Sequence, residues 1–249
     1  MKPAVARALL LAGLGAGALV AGCGGDAERG ATTTAAKTGT ASAPPATVSA
    51  ARRRPIPRAL RTAESAAEDT IDLALAGKRR RVVDKANALK AVADGPAGTA
   101  LRAAGVSDGE IAAFRARADE VARLAPAAEL LQVALASNRA FGLIAAFFAR
   151  YDSPVPADVT ALDHFDFEAK LEARAGNAAA LRSAVVRLDR TWVKLRPDVV
   201  KAGGARVASK FDAHVERMGR LAGDGGSRAA KEAQRGLDLV DELEAVYDR

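Results

Sequence analysis

The amino-acid sequence predicts an all-α protein, in which an antiparallel bundle of about five to seven helical segments follows a signal peptide and a flexible linker. About a quarter of the chain is alanine, the strongest helix former. Apolar residues of the C-terminal part recur at helical spacing, and glycines and prolines separate the periodic segments. No run of alternating β-branched residues is long enough to predict a strand.

Residues 1–22 have the layout of an export signal. Lys2 and Arg7 precede an apolar run from Ala8 to Val20, and small residues follow at positions 21 and 22. The apolar run of roughly 13 residues is shorter than the ~20 residues that a helix needs to cross a bilayer. The pattern therefore favours a cleaved signal over a permanent membrane helix.

The signal ends in Val20-Ala21-Gly22-Cys23, which resembles the lipobox of bacterial lipoproteins. The resemblance covers only this leader. It implies cleavage before Cys23 and attachment of acyl chains such as palmitate, and two or more chains give stable anchoring. The location that it implies is the extracytoplasmic face of the cell membrane. Because Gly24 rather than Asp follows the cysteine, the resemblance favours the outer membrane if the envelope has two membranes.

Residues 23–56 are predicted to be a flexible linker. Cys23 is the only cysteine, so the chain has no intrachain disulfide and no thiolate cluster for zinc. The following residues are mostly Ala, Thr, Gly, Ser and Pro, a composition that cannot bury enough surface to offset its ordering entropy. Arg52-Arg53-Arg54 near its end is either a solvated linker end or a contact for anionic lipid or wall polymer.

Residues 57–249 form the predicted helical domain, and its first helix has an ambiguous centre. Thr62 is a potential N-cap, after which apolar residues recur to about residue 93. Lys78 and three arginines follow Gly77. Either Gly77 breaks the helix, or Lys78 extends from the apolar seam to solvent. Asp94-Gly95-Pro96 is expected to stop this element.

The middle of the domain has clear helix starts. Ser107 and Glu110 form the S-x-x-E pattern of a capping box at the start of a second long helix. Pro126 is placed to open the next helix at its first turn. From Leu130 to Tyr151 apolar residues occur on every side, so this segment is predicted to be the central helix.

The last part of the domain is predicted to contain several more helical segments. One helix extends from Ala157 to Ala175 and ends at Gly176, and Asn177 caps the next. Pro197 is expected to kink or restart that helix. Gly203-Gly204 and a glycine-rich stretch at residues 223–227 precede the last two segments.

The charge pattern argues against nucleic-acid binding. The whole chain carries a net charge of +7, but removal of Lys2 and Arg7 leaves +5, and the domain after residue 56 carries about +2. A nearly neutral domain with few aromatic residues lacks the basic stripe of a nucleic-acid binder. Export also places it in another compartment.

The two histidines are the candidates for a metal site because both lie among carboxylates. His164 and Glu168 are four residues apart and share a helix face, as two ligands of one transition-metal ion would. If two helices pack together, His214 converges with them. Glu64 or Glu68 of the first helix is a potential further ligand. The alternative is that these residues form solvated ion pairs.

The sequence gives no clear catalytic motif. Gly105-Val106-Ser107-Asp108-Gly109 fits the letters of G-x-S-x-G, but its serine is the capping-box serine and no predicted strand precedes it, as a nucleophile elbow requires. The S-x-x-K, phosphate-loop and G-x-G-x-x-G patterns are missing, and Trp192 on an apolar helix face is predicted to be a core residue. We therefore expect a non-enzymatic binding or scaffold module without a cofactor, whose partner is an envelope protein, a wall component or a small ligand. The alternative is a metal-binding protein that uses His164, Glu168 and His214. A metal site requires the histidines to converge, whereas a binding module leaves them dispersed and presents an apolar groove.

Overall fold

The computed structural model describes residues 54–223 and 226–248, and within these ranges the all-α class is confirmed. The leader, Cys23 and most of the predicted linker lie outside the described residues. Within them the chain forms nine α-helices and one π-helical turn, more segments than the five to seven predicted. The helices are α1 (Arg58–Leu75), α2 (Arg79–Val92), α3 (Gly98–Ala103), α4 (Asp108–Leu124), α5 (Leu130–Phe148), α6 (Ala157–Ala175), α7 (Ala178–Lys201), α8 (Ala205–Leu221) and α9 (Gly226–Tyr247).

Of the two alternatives for the first helix, the structure contains the break at Gly77 and not a continuous helix. Gly77 has a φ of 73°, a left-handed conformation that glycine adopts without steric cost. It separates α1 from α2. The predicted N-cap at Thr62 is wrong, because α1 begins at Arg58 directly after the extended residue Pro57. The Thr62 hydroxyl instead donates a hydrogen bond to the Arg58 carbonyl at 2.9 Å.

The prolines interrupt the helices less than predicted. The chain does not stop at Pro96 but continues through a π-helical turn, Ala93–Ala97, directly into α3. A wider turn relieves the clash between a proline ring and the preceding turn. Pro197 lies inside α7, which is not restarted there. Pro126 does not open a helix, because α5 starts four residues later, after the extended residue Glu129.

The predicted caps at Ser107, Gly176 and Asn177 are confirmed. The Ser107 hydroxyl accepts a hydrogen bond from the backbone N–H of Glu110, and the Glu110 carboxylate accepts one from the N–H of Ser107 at 3.0 Å. Gly176 ends α6 with a φ of 70°, and the Asn177 side chain accepts from the N–H of Ala180 at 3.2 Å. These caps satisfy backbone groups that a helix end leaves unpaired.

Two hydrophobic clusters form the core, and α6 contributes to both. The first lies mainly among α1–α5 and contains Phe114 and Phe141. The second lies among α6–α9 and contains Trp192 and Phe211. α5 is heavily buried, as the sequence predicts, and packs against α1, α4 and α6. α6 packs against α5, α7 and α9 and so connects the two clusters.

α5 is, among the described residues, the one helix that is long and apolar enough to cross a membrane by length and composition. More than half of its apolar window is buried inside the fold. Its apolar side chains, including Phe141 and Ile144, belong to the first hydrophobic cluster, which accounts for this composition without a membrane.

Candidate functional site

A cavity of about 570 Å³ lies between α1, α6 and α9. The lining residues of α1 and α9 recur at intervals of three or four, so that each helix presents one face to the cavity. α1 contributes Arg61, Glu64, Glu68 and Asp72. α9 contributes Gln234, Leu237, Asp238, Val240, Asp241 and Glu244, and Asp248 lines the cavity directly after the end of α9. α6 lies between these two walls and contributes Thr160, Asp163 and Phe167.

The cavity is strongly acidic. Eight carboxyl groups line it, and Arg61 supplies the one cationic side chain among its described lining residues. Lys170 lies beside the cavity, where it donates a hydrogen bond to Gln234 and interacts with the charges of Asp72 and Asp238. Two basic side chains do not neutralise eight carboxylates, so the cavity has an excess of negative charge whenever its acids are ionised.

The deepest carboxyl groups face each other across the cavity. Glu68 of α1 and Asp163 of α6 are in hydrogen-bonding contact, which requires a shared proton because two carboxylates have no donor. Burial and then the charge of Asp163 raise the pKa of Glu68 to about 9. Burial and then the charge of Asp166 raise the pKa of Asp163 well above its ordinary range. At neutral pH this pair holds a proton.

The pKa of Glu64 is raised as well. Burial and then the charge of Glu68 raise its pKa to about 8, while Arg61 opposes this rise. Glu244 of α9 faces Glu64, and burial raises its pKa as well. Among the described residues, neither Glu64 nor Glu244 forms a hydrogen bond or an ion pair. The cavity thus contains acids that have no direct hydrogen bond or ion pair among the described residues, although the charge of Arg61 acts on both from a longer distance.

Two hydroxyl groups of the cavity wall also lack partners in the described part of the chain. Thr160 is 6% exposed and lines the cavity, and its hydroxyl forms no hydrogen bond to the described residues. The Ser153 hydroxyl is buried without a partner at the same cavity. The Ser153 hydroxyl is costly because it is buried without a partner. Thr160 lines the cavity, and both hydroxyls can accept a hydrogen bond from a bound molecule.

A separate buried network surrounds His214 on α8. The His214 side chain is fully buried. Its Nε2 lies 3.0 Å from Asp166 Oδ1 of α6, and its Nδ1 lies 3.1 Å from Glu232 Oε1 of α9. Burial lowers the pKa of His214, but the two carboxylates outweigh burial and raise it overall. The imidazole between two carboxyl groups links three helices.

The outer side of this network is closed by arginines. Glu232 is 3% exposed, and its carboxylate accepts hydrogen bonds from Arg217 at 2.8 Å and Arg235 at 2.9 Å. Although burial raises its pKa, these partners and His214 lower it overall. Asp166 Oδ2 has no hydrogen-bond partner and packs under Gly236, where a side chain on α9 would collide with it.

His164 and Glu168 lie on another side of α6, at a groove of about 610 Å³ lined also by α4 and α5. As predicted, they share a helix face, with 3.8 Å between Nε2 and Oε2. His164 hydrogen-bonds Asn138 Oδ1 at 3.1 Å, and burial together with the charge of Arg187 lowers its pKa to about 4. Glu168 pairs with Arg187 at 2.6 Å.

The predicted convergence of His164, Glu168 and His214 on one metal ion is not found. Within the described residues, no group of three or more His, Asp or Glu side chains is arranged to hold a metal ion. The reason is geometric. Asp166, which binds His214, follows His164 by two residues and so points to the opposite side of α6.

The carboxylates beside His214 in the sequence have other partners. Asp212 accepts hydrogen bonds from Trp192 Nε1 at 2.8 Å and from Arg196 at 2.8 Å, and Glu216 pairs with Arg220. Trp192 itself is buried in the core, as predicted. The residues that the sequence interpretation missed are Asp163, Asp166, Glu232 and the acidic face of α9. Their only sequence signal was the spacing of carboxylates by three or four residues in apolar helices.

Comparisons with protein-family profiles, with curated protein sequences and with solved structures find no match to this chain.

The raised pKa of Glu64 predicts how stability changes with pH. The folded state holds this proton more tightly than the unfolded state, so the stabilisation is present below about pH 4.5 and is lost as the pH rises through about 8. Gln does not titrate. We expect Glu64→Gln to match the wild type at pH 4 and to exceed it by about 1–3 kcal/mol at pH 9, less than the full pKa shift implies because the side chain keeps some contact with water. Urea unfolding at both pH values measures this difference.

Asp69→Asn is the matched control for this measurement. Asp69 lies on α1 outside the cavity and forms a salt bridge with Lys85 at 2.7 Å. Its variant should not gain stability between pH 4 and pH 9. A Glu64→Gln difference that stays constant over that range would contradict the assignment of Glu64 as a buried acid.

The close packing of Asp166 under Gly236 predicts opposite effects for two glycine substitutions. Gly236→Ala places a methyl group against the buried carboxyl and should cost about 1–3 kcal/mol through overpacking. Gly219→Ala on α8 meets no atom within 4 Å and should stabilise the protein by roughly 0.5–1 kcal/mol. Thermal unfolding of both variants checks this, and equal melting temperatures would refute the packing argument.

Proposed function

We propose that this protein is an extracytoplasmic lipoprotein whose helical domain binds a positively charged ligand in the cavity between α1, α6 and α9. The observation that supports this most directly is the charge of the cavity lining, with eight carboxyl groups and one guanidinium. The anchor at Cys23 is proposed from the lipobox alone. In this proposal the acyl chains hold the domain at the membrane, and the residues up to 56 set how far it reaches.

The energetic argument is that these carboxylates destabilise the unliganded fold. Like charges close together in a poorly solvated cavity repel each other. The proton that Glu68 and Asp163 share reduces this repulsion by removing one negative charge. Acids with strongly raised pKa values in a cleft are characteristic of functional sites. A cationic ligand relieves the repulsion and gains attraction that the reduced dielectric strengthens.

The proposal fits a binding protein better than an enzyme or a metalloprotein. The cavity contains acids and hydroxyls, but its described lining includes no histidine, cysteine or lysine that would act as a nucleophile or base at neutral pH. The two histidines are dispersed on other faces of the bundle. The cavity size is within the range of small-molecule sites, about 300–1,000 Å³.

A panel of ions tests whether the cavity binds cations. Purified full-length protein in neutral detergent is heated at pH 7.5 and constant ionic strength with calcium chloride, zinc chloride, spermidine or sodium sulfate. At least one cation should raise Tm, by about 5–10 °C when it is present at 100 times its Kd. Sulfate should not. No rise with any of the cations would contradict the proposal.

Two glutamates on α9 provide a matched pair for this test. Glu244 lines the cavity, whereas Glu242 lies two residues earlier and pairs with Lys210. Glu244→Gln should reduce the rise in Tm caused by the cation, because it removes a ligand-facing charge. Glu242→Gln removes the same charge elsewhere and should leave the rise unchanged. Equal effects of the two variants would show that the cation does not bind in the cavity.

The anchor is tested separately at Cys23. In cells fed an alkyne analogue of palmitate, the wild-type protein should carry the label in the membrane fraction, and the mass of its N-terminal peptide should correspond to an acylated Cys23. Cys23→Ser should abolish the label because serine has no thiol to acylate. An unlabelled wild-type protein, or a labelled Cys23→Ser variant, would refute the proposed anchor.

A further inference from the structure

The apolar side chains of the acidic cavity restrict the kind of cation that it fits. Carboxyl groups alternate with apolar surface from Ile56, Phe148, Val155, Phe167, Leu237 and Val240. A hydrated metal ion gains nothing from contact with apolar surface, whereas an alkyl chain is stabilised by about 25 cal/mol for each Å² that it buries. A lining of this kind therefore suits a ligand that is both cationic and aliphatic.

The carboxyl groups are spread along the cavity rather than gathered at one point. Glu64 and Glu244 face each other in one part, and Lys170 interacts with both Asp72 and Asp238 in another. Glu64 and Asp72 are two turns apart on α1, about 12 Å along the helix axis. No three acidic or histidine side chains of the described residues are arranged to hold a metal ion. Charge spread over this length suits a ligand with separated positive groups.

The unpartnered hydroxyls support the same chemistry. Thr160 is more than nine-tenths buried and lines the cavity from α6, between the two acidic walls. Its hydroxyl and that of Ser153 can accept hydrogen bonds, as the carboxylates do. An alkylammonium group has three N–H donors and no acceptor. Ammonium groups thus suit both the carboxylates and the free hydroxyls of this cavity.

We propose that the ligand of the acidic cavity is an aliphatic polyamine, whose ammonium groups bind the carboxylates of α1 and α9 and whose methylene chain packs against the apolar side chains between them. This inference rests on the proposed function and specifies its ligand class. The bound polyamine spans the cavity from the Glu64–Glu244 region to the region of Asp72 and Asp238.

Binding is coupled to proton release in this arrangement. An ammonium group beside Glu68 and Asp163 favours their ionised forms, so the proton that they share leaves when the polyamine binds. Glu64, with a pKa of about 8, releases its proton in the same way. An alkylammonium stays charged up to about pH 10. Affinity should therefore increase between pH 6.5 and pH 8.5, and the binding heat should depend on the ionisation enthalpy of the buffer.

Isothermal titration of purified full-length protein with amines of different length and charge tests the inference. The probes are spermidine, 1,3-diaminopropane, pentylamine and pentane-1,5-diol, with magnesium and zinc chloride as metal controls. Spermidine should bind at least about tenfold more tightly than the short diamine or the monoamine, because each further charge-assisted contact contributes about 1.5–3 kcal/mol. The uncharged diol should not bind.

A matched pair of variants on α1 places the binding within the cavity. Asp72→Asn removes a carboxylate of the cavity, and Asp69→Asn removes one on the same helix that pairs with Lys85 outside it. Spermidine affinity should fall about tenfold in Asp72→Asn and in Glu244→Gln, which lie on opposite walls. It should stay within about twofold in Asp69→Asn and Glu242→Gln.

The outcomes separate this inference from the proposed function. Binding of a metal ion that Glu244→Gln weakens, without binding of amines, overturns the polyamine inference and leaves a cation site. Equal affinity for spermidine and pentylamine also overturns it, because one ammonium group is then enough. Absence of binding by all cations, or spermidine binding that the cavity variants do not change, overturns both proposals.

Discussion

The position of α6 between two hydrophobic clusters is the constraint on which the rest of the structure depends. Side chains of α6 meet three different surroundings. Thr160, Asp163 and Phe167 face the acidic cavity, Asp166 faces His214, and His164 faces α5. A helix enclosed on all sides cannot rotate without burying the wrong groups, so packing fixes every polar side chain on it.

The buried network at His214 supports the cavity without being part of it. Asp166 and Asp163 are three residues apart on α6, and the negative charge of Asp166 raises the pKa of Asp163. His214, which also contacts the arginine-flanked Glu232, holds Asp166 in place and favours its ionised form. Breaking such a network is costly because one buried charge is then left without a partner. The network therefore fixes the orientation of α6 relative to α8 and α9.

The acidic cavity gathers several acids that have no direct partner. Other acids are paired, as Glu232 with Arg217 and Asp212 with Arg196. At the cavity, Glu64 and Glu244 form no hydrogen bond or ion pair in the described structure and feel only the longer-range charge of Arg61, and Glu68 and Asp163 share a proton. Local exceptions to good pairing in an otherwise consistent fold are expected where function outweighs stability. A bound cation would complete the pairing that the chain itself does not provide.

The sequence alone was sufficient to predict the features that depend on residues close together in the chain. The all-α class, the capping box at Ser107, the end of α6 at Gly176 and the cap at Asn177 involve residues at most four positions apart, so spacing was enough to predict them. The chain stays helical through Pro96, where a stop was predicted, and α7 is not restarted at Pro197, because tertiary packing holds helices together through positions where propensity favours a break.

The tertiary structure alone decided which polar faces meet. His214 binds Asp166 and Glu232, which are 48 and 18 residues away, rather than the carboxylates beside it in the sequence. Glu68 meets Asp163, and not the histidine next to it, for the same reason. Helical periodicity shows which residues share a face, but the rotation and order in which helices pack determine which faces touch. That choice depends on the whole core, and no local pattern in the sequence contains it.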